Sequence, residues 1–538
     1  MNARTHWSRL LLVMALALSL LAATACAPAE EEAAAPEEKP EELPELIVAV
    51  PSEIQGTDQQ QVTTTFNFVH GLISTPPISL GLQNKEVLPH GAKSVEISPD
   101  GKEIRLTFDP NRTFHNGVPV TAEAVKRSIE RYVSISPYAF DYDPVEEIVV
   151  EGDTLILKLK EAGPALLVVL ASDYAGPVEV GAAEEMGDEE FNRRTVGCGP
   201  YKVEEWVDGS HITLVRNDDY YDFLPFVENN GPFHFSKVTV RFIPEAFTRV
   251  SELRAGNVHI ITSVPSEMLK TLEEDPNIVL HEYLSPNVRH LQMNTERFPF
   301  QDKRVRLAVA YAIDRAEIME AVEGTIKPLF SLVAEAMISH HPETEAYLSE
   351  KYAHDLDKAK QLLAEAGCKD TDGDGILELD GKPMTFTLAI SGDNATDKKA
   401  GPILQAQLRR VGLDAQVREY ESRYLRELIE TANFDMILRN WNWLDPGGVW
   451  PAGLKTGGRL APWSHPEVDA LLDAAQVIPD EEERAQKWAE VSKRVWEDVP
   501  LIPLWSDRVF LATRAELEGL ILSVSGTLYL NDLKLKGD

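Results

Sequence analysis

The sequence predicts a folded α/β protein with several domains and largely parallel sheets. Of its 538 residues, 43% are hydrophobic, which is enough apolar surface for large packed cores. Short runs rich in β-branched residues alternate with amphipathic helical segments, as in α/β lobes. At about 150 residues per domain, the length suggests roughly three domains. The sequence has no repeat of fixed period, so we do not expect a solenoid.

The charge balance and the cysteine count exclude two classes of protein. The chain has 52 Lys and Arg against 87 Asp and Glu, a formal charge of −35. Nucleic acids and anionic membrane surfaces are bound through basic side chains, so this protein would repel both. Three cysteines are too few for a disulfide framework. We expect Cys198 and Cys368 to be separately buried thiols rather than a disulfide.

The N-terminus predicts export and a lipid anchor. Residues 1–25 read as a signal peptide, because basic residues precede an apolar run of about 14 residues, shorter than the ~20 that span a bilayer. Small residues before Cys26 are similar to a bacterial lipobox, so we expect acylation of this cysteine, with ordinary cleavage after Ala25 as the alternative. Residues 26–44, rich in Glu and Pro, predict an extended acidic tether. The protein is therefore expected to be extracytoplasmic and anchored to the bacterial cell membrane through lipid, in the periplasm or on the cell surface.

The first part of the mature chain predicts a strand followed by antiparallel hairpins. Leu46–Val50 is a short apolar run ended by Pro51, as in a buried strand. The turn at Ser98–Gly101 and the alternation around residues 152–153 predict two hairpins. Thr121 is a candidate N-cap for the helix between them.

The second part predicts strands interspersed with long amphipathic helices. Strands are expected at His211–Val215 and Val238–Phe242, followed by a helix at Phe247–Leu253. After Asn294 the predicted elements are helices at Val305–Val322, Leu356–Ala366, Gly401–Val411 and Arg423–Thr431, with strands at Phe386–Ile390 and Phe434–Leu438.

One acidic loop has the spacing of a calcium site. Carboxylates occupy loop positions 1, 3 and 5, a glycine position 6 and a main-chain carbonyl position 7: Asp370, Asp372, Asp374, Gly375 and Ile376. Position 12 is Gly381 instead of a bidentate Glu, although Glu378 or Asp380 could substitute. We therefore predict a structural Ca²⁺ here, with an acidic turn that caps a hairpin as the alternative.

Known catalytic motifs are missing from the sequence. It contains no His-Glu-x-x-His zinc site, no Gly-x-Ser-x-Gly nucleophile elbow and no dinucleotide-binding glycine loop after a strand. An enzyme remains one alternative, because catalytic groups can assemble from distant positions.

Five segments together resemble one family, the extracellular solute-binding proteins of peptide and nickel ABC transporters, also known as oligopeptide/dipeptide-binding proteins. They occur in the family's order from about residue 45 to the C-terminus: Ser98–Gly101 continuing through Phe114–Glu123, Gly197–Tyr201, Phe300–Arg306 with Tyr311–Arg315, Pro466–Asp469, and Asp498–Pro503.

This resemblance implies a two-lobed periplasmic-binding-protein-like fold, of the large cluster C type, with an extra subdomain inserted in the first lobe. The expected first lobe comprises residues 45–75, 180–275 and 500–538; the insertion is 76–179, and the second lobe is 276–499. The chain would cross between lobes near 278–294 and return near 500. Closure on a ligand would create the form that an ABC transporter permease recognises. Such a carrier acts as a monomer, needs no cofactor and is not an enzyme.

The resemblance also indicates candidate ligand-binding residues. Family members contact peptides through a Gly-Trp loop in which an Asp, three residues after the Trp, pairs with the ligand's α-ammonium. Here Asn440 replaces the Gly, Leu444 stands at the third position after Trp441, and Asp445 matches a later Asp-Pro pair. Asn440, Trp441, Trp443 and Asp445 are the loop candidates.

The crossover strand adds His290 and Gln292, at positions where family members line the cleft. We expect an oligopeptide as the ligand. The missing amine-pairing Asp and the two tryptophans keep an oligosaccharide open as the alternative. A secreted hydrolase and a folding or adhesion factor are alternatives from other classes.

Overall fold

The computed structural model describes residues 44–62, 68–458 and 463–537. The signal peptide, Cys26 and nearly all of the acidic tether lie outside these residues. Within the described ranges, no helix has both the length and the apolar character needed to cross a bilayer.

A mixed sheet of twelve strands organises the described chain. Its first half contains Glu45–Val50, Tyr201–Val207, His211–Arg216, Lys237–Phe242, Ile260–Ile261 and Ile278–Leu284. Its second half contains Asn287–Met293, Ile326–Pro328, Thr385–Ser391, Asp414–Tyr420 and Met436–Asn442. We call the parts of the molecule built on these halves the first and second lobes. The strand Leu501–Arg514, called the long strand below, belongs to both.

The chain passes between the two lobes twice, and these passages join them. Ile278–Leu284 pairs with the far part of the long strand, with Leu284 opposite Arg508. Asn287–Met293 pairs with its near part, with Gln292 opposite Leu501. The segments of the predicted crossing near 278–294 and of the predicted return near 500 are therefore neighbouring antiparallel strands.

The expectation of largely parallel sheets is wrong for much of this sheet. Parallel pairing joins Glu45–Val50 to Lys237–Phe242, and Thr385–Ser391 to Asp414–Tyr420. All pairs made by the long strand are antiparallel, because the chain returns beside the segment by which it left. The alternation of strands and helices therefore predicts the parallel pairs within each lobe, but not the antiparallel pairing between segments that leave and return.

A separate four-stranded antiparallel sheet lies within the range predicted as the insertion. Its strands are Ser94–Ile97, Glu103–Thr107, Val145–Glu151 and Thr154–Leu159. Both predicted hairpins are present in it. The helix Ala122–Ile135 packs on this sheet, and its predicted cap is confirmed because Thr121 accepts a hydrogen bond from the Ala124 amide at 3.1 Å.

The helices confirm most of the amphipathic segments, with two shifts. The predicted helix at 305–322 is two helices, because Asp314 caps a new one by accepting bonds from the Ala316 and Glu317 amides. The helix predicted from Gly401 begins at Ala395, after the cap Asn394. The remaining helices are Val69–Ile73, Pro164–Leu170, Val180–Met186, Asp188–Arg193, Ala246–Ala255, Leu269–Glu273, Lys303–Ala312, Arg315–Ala321, Pro342–Lys351, Leu356–Ala366, Ser422–Glu430, Trp450–Leu454, Pro466–Gln476 and Glu481–Asp498; the helix after Asn394 ends at Arg409.

Short elements complete the described chain. Two-stranded ribbons pair Ile78–Ser79 with Leu88–Pro89, Glu378–Leu379 with Lys382–Pro383, Leu517–Glu518 with Lys534–Leu535, and Ile521–Leu522 with Leu528–Tyr529. Turns of 3₁₀ helix occur at Ala139–Tyr142, Asp173–Ala175, Ser266–Met268 and Pro446–Gly448.

The Gly197–Tyr201 segment packs closely against the helix Val69–Ile73. A Cβ at Gly197 would lie 2.1 Å from the Ile73 carbonyl oxygen, and one at Gly199 would lie 2.4 Å from that of Leu72. Only glycine allows this approach of two backbones. The Gly-Cys-Gly segment thus fixes this helix, which forms part of the cavity described next.

Candidate functional site

A cavity of about 610 Å³, called the main cavity below, lies between the two lobes. Its wall is formed by the helix Val69–Ile73 and the loop after it, residues 168–174 of the insertion, the link Ser285-Pro286 between the crossover strands, residues 442–444 of the second lobe, and the C-terminal residues 525–531. This volume is within the ~300–1,000 Å³ of sites that bind small ligands. The site therefore depends on segments from both lobes and from their connection.

Aromatic rings form much of the wall. Tyr529 packs edge-on against Phe226 with centroids 5.0 Å apart, and Tyr220 against Phe233 at 5.6 Å. Trp443 belongs to the second-lobe loop that also lines the cavity. Its amide donates a hydrogen bond to the Pro286 carbonyl oxygen at 3.2 Å. These rings offer flat apolar faces to a bound molecule.

The polar groups behind the rings are largely paired with one another. The Tyr220 hydroxyl and the Asn531 amide each donate to Asp222 at 2.9 Å, and the Ser79 and Tyr529 hydroxyls share a hydrogen bond of 2.9 Å. Burial raises the pKa of Asp222 to about 6. Burial, together with the nearby Arg112, lowers the pKa of His90 to about 3, so this ring is neutral at physiological pH.

Asp173 differs from these paired groups. It begins the 3₁₀ turn Asp173–Ala175 and lines the main cavity. Burial raises the pKa of its carboxyl to about 7. A Cβ at Gly71 would lie 2.8 Å from its Oδ1, so the absence of a side chain there leaves room for the carboxylate.

The two tryptophans of the predicted ligand loop have different positions. Trp443 lines the main cavity and is partly buried. Trp441 is 9% exposed and packs against Trp450, with ring centroids 4.4 Å apart. A Cβ at Gly453 would lie 1.8 Å from the Trp441 ring, so that ring is packed against backbone. Trp441 is therefore a core residue of the second lobe in this structure.

The crossover-strand candidates are also buried away from the main cavity. His290 is fully buried, and its ring lies 5.2 Å from that of Trp441. Gln292 accepts a hydrogen bond from Arg439 within the second lobe. Neither residue is among the described residues that line the cavity. The reason is the sheet register, which places His290 opposite Arg439 in the sheet interior.

Asn440 lines a second cavity of about 710 Å³ on the second lobe. Its side-chain oxygen accepts a hydrogen bond from Asn287 at 2.8 Å. This cavity also contains the buried ion pair between Arg289 and Asp397, at 2.9 Å. Burial raises the pKa of Asp397 to about 6, opposed by Arg289. Tyr138 lines both cavities.

Asp445 has a structural position instead of a ligand-facing one. Both of its carboxylate oxygens accept hydrogen bonds from Arg484 Nη2, at 2.7 and 2.8 Å, and both side chains are fully buried. Oδ1 also accepts from the Gly447 amide at 2.5 Å. The carboxylate therefore stabilises the turn after the Trp443 loop.

The predicted calcium loop brings its carboxylates together at the surface. One oxygen from each of Asp370, Asp372, Asp374 and Glu378 lies within 4.8 Å of the others. The same carboxylates accept bonds from loop amides, such as Gly373 to Asp370 at 2.7 Å and Ile376 to Asp374 at 2.7 Å. Of the two candidate substitutes for the twelfth-position Glu, Glu378 is the one that lies in this cluster. The calcium site itself stays a prediction.

The two cysteines of the described chain are not paired with each other. Cys198 and Cys368 are free, separately buried thiols, as predicted.

Polar contacts join the segments on the two sides of the cavity. Asn84 donates to the Ala336 carbonyl oxygen at 3.0 Å, and Lys399 pairs with Glu267 at 3.0 Å. These contacts link segments on the two sides of the cavity, so the structure shows the lobes in contact.

Sequence reasoning missed most of the residues that form the main cavity. They come from segments separated by hundreds of residues, and no fixed spacing connects them. Asp173 had one signal, because it stands three residues after the end of the apolar helix Pro164–Leu170, and a negative charge is unfavourable near the carbonyl end of a helix.

Two lobes joined by paired crossover strands around a ligand-sized cavity are the architecture of two-lobed solute-binding proteins. The chain belongs to the family described as bacterial extracellular solute-binding proteins, family 5, whose middle region matches residues 86–456. It is 28% identical over 456 residues to the oligopeptide-binding protein AppA of Bacillus subtilis, covering 80% of each chain.

Solved structures show the same two-lobed fold. NikA from Brucella suis, in complex with Fe(III)-EDTA, matches with a TM-score of 0.80 and 23% identity over 92% of this chain and all of that one. AppA from Bacillus subtilis, in complex with a nonapeptide, matches with a TM-score of 0.72 and 23% identity over 91% of this chain and 98% of that one. The chain is thus a solute-binding component that serves an ABC transporter.

Proposed function

We propose that this protein captures an oligopeptide outside the cytoplasm, delivers it unchanged to an ABC transporter permease and is held at the membrane by lipid on Cys26. The observation that supports this most strongly is the main cavity, which combines aromatic rings with polar groups between the lobes. A peptide presents alternating apolar side chains and polar backbone groups, which suit such a lining. The similarity to an oligopeptide-binding protein over 80% of each chain points the same way.

Thermal unfolding with defined ligand panels tests the peptide assignment. We expect a pool of synthetic peptides of two to nine residues to stabilise the protein, by about 2.7 kcal/mol at 100 times the dissociation constant. Glycan, haem and nickel–histidine panels serve as controls and should have no effect. Stabilisation by glycans alone would instead favour the oligosaccharide alternative, which the flat Trp443 face also suits.

We further propose a structural Ca²⁺ in the loop containing Asp370, Asp372, Asp374 and Ile376. Four clustered carboxylates repel each other, so a bound cation should stabilise the fold. With a dissociation constant on the order of 10⁻⁴ M, 10 mM Ca²⁺ would add about 2.7 kcal/mol to the free energy of unfolding. Calorimetry of wild type and Asp372→Asn, with Mg²⁺ as a control, checks this. Equal unfolding with and without Ca²⁺ would leave only an acidic turn.

A further inference from the structure

Asp173 is the one carboxylate among the described residues that line the main cavity. No hydrogen bond or ion pair involves the Asp173 carboxylate within the described part of the chain, whereas Asp222 is bonded by Tyr220 and Asn531. The residues described as lining the cavity include no Lys and no Arg, and His90 is neutral. A partly buried carboxylate is unfavourable unless a counter-charge or donors satisfy it. A cationic group on the bound molecule would supply that counter-charge.

We propose that Asp173 binds the α-ammonium group of the ligand, an inference that rests on the peptide-binding function proposed above. An ammonium group offers three N–H donors and a positive charge, which together satisfy a single carboxylate. In this chain the Trp loop has Leu444 at the position where the resemblance would place an amine-pairing Asp. Asp173 supplies that carboxylate from the insertion instead, next to the side-chain-free Gly71.

Titration of the cavity is consistent with this assignment. Burial raises the pKa of Asp173 to about 7. Below that pH the carboxylate becomes protonated, so the binding of an ammonium ligand should weaken. The other titratable groups of the cavity wall are His90, Tyr138, Tyr174, Tyr220, Tyr283 and Tyr529. Burial keeps His90 neutral and raises the pKa of Tyr220, Tyr283 and Tyr529. Asp222, with a pKa of about 6, lies behind Tyr220. Because Asp222 is present in both wild type and an Asp173 variant, its titration affects both proteins alike.

A competition experiment tests the proposal on the full-length protein. Equimolar pools of lysine-free random pentapeptides, one with free and one with acetylated amino termini, are offered together, and the retained peptides are quantified by mass spectrometry. Wild type should retain the free pool about 10- to 100-fold better, the range of a charge-assisted hydrogen bond. Asp173→Asn, which keeps the side-chain shape, should lose this preference, and Asp357→Asn, on an exposed helix of the second lobe, should keep it. For wild type alone, retention of the free pool should fall about fivefold from pH 7.5 to pH 6.

The outcomes separate this inference from the proposed function. Equal retention of both pools by wild type would overturn the role of Asp173 and leave peptide binding intact. Retention of neither pool would overturn peptide binding and this inference with it. An acetylated pool with one lysine per peptide identifies the source of the ammonium; if it were retained as well as the free pool, the assignment to the α-amino group would be wrong.

Discussion

Replacing Trp443 with alanine is expected to weaken peptide binding about 30- to 100-fold, as for a central aromatic contact in an interface. The ring lines the main cavity and packs against a small buried cluster with residues from both sides of it, Leu80, Val168 and Ile338. Its removal takes away the largest flat apolar face that the second lobe gives to the cavity. Isothermal titration with the strongest-binding synthetic peptide measures the effect.

Two variants serve as controls for Trp443→Ala. Phe247→Ala removes an aromatic ring that is 58% exposed on the first lobe, so affinity should not change. Trp441→Ala should instead lower the free energy of unfolding by about 3–5 kcal/mol, because this ring is packed in the core. Affinity that was unaffected by Trp443→Ala would show that the cavity wall at this loop does not contact the ligand.

Replacing Arg484 with alanine is expected to lower the free energy of unfolding by about 3–5 kcal/mol. Asp445 would then be left fully buried with two oxygens that have lost a charged donor. Urea unfolding followed by tryptophan fluorescence measures the change. The pair Lys158 and Glu147 is exposed on both sides, so Lys158→Ala should change stability by at most about 1 kcal/mol.

A double variant distinguishes the cause of that loss. Replacing both partners, as Arg484→Met with Asp445→Leu, removes the unpaired charge and should recover much of the stability. If Arg484→Ala alone cost less than about 1 kcal/mol, the buried pair would not be holding the turn after the Trp443 loop.

The sequence predicted the helices, strands and turns better than it predicted the residues of the cavity. Local signals are strong where one residue type has one local effect, as at the Thr121 cap or the turn near Gly101, and both were found. The crossover near residue 278 was also predicted, although the antiparallel pairing that it imposes on the long strand was not. That pairing depends on how distant segments meet, which no local pattern encodes.

The candidate ligand residues show the same limit. Trp441 and Trp443 are two residues apart and chemically identical, yet one packs in the core and the other lines the main cavity. Alternation along a strand places them on one face, but the strand ends at Asn442, and the chain then turns toward the link Ser285-Pro286. Asp173 could be interpreted only from the folded structure, in which the described residues that line the same cavity include no Lys and no Arg.

The central claim is that the main cavity holds a peptide and releases it chemically intact. Native mass spectrometry of the protein after incubation with a synthetic peptide pool, followed by acid release and sequencing of the bound fraction, tests this directly. We predict one peptide per protein, recovered at its original mass. Recovery of cleaved fragments, or a protein that stays unliganded with every peptide offered, would contradict the account.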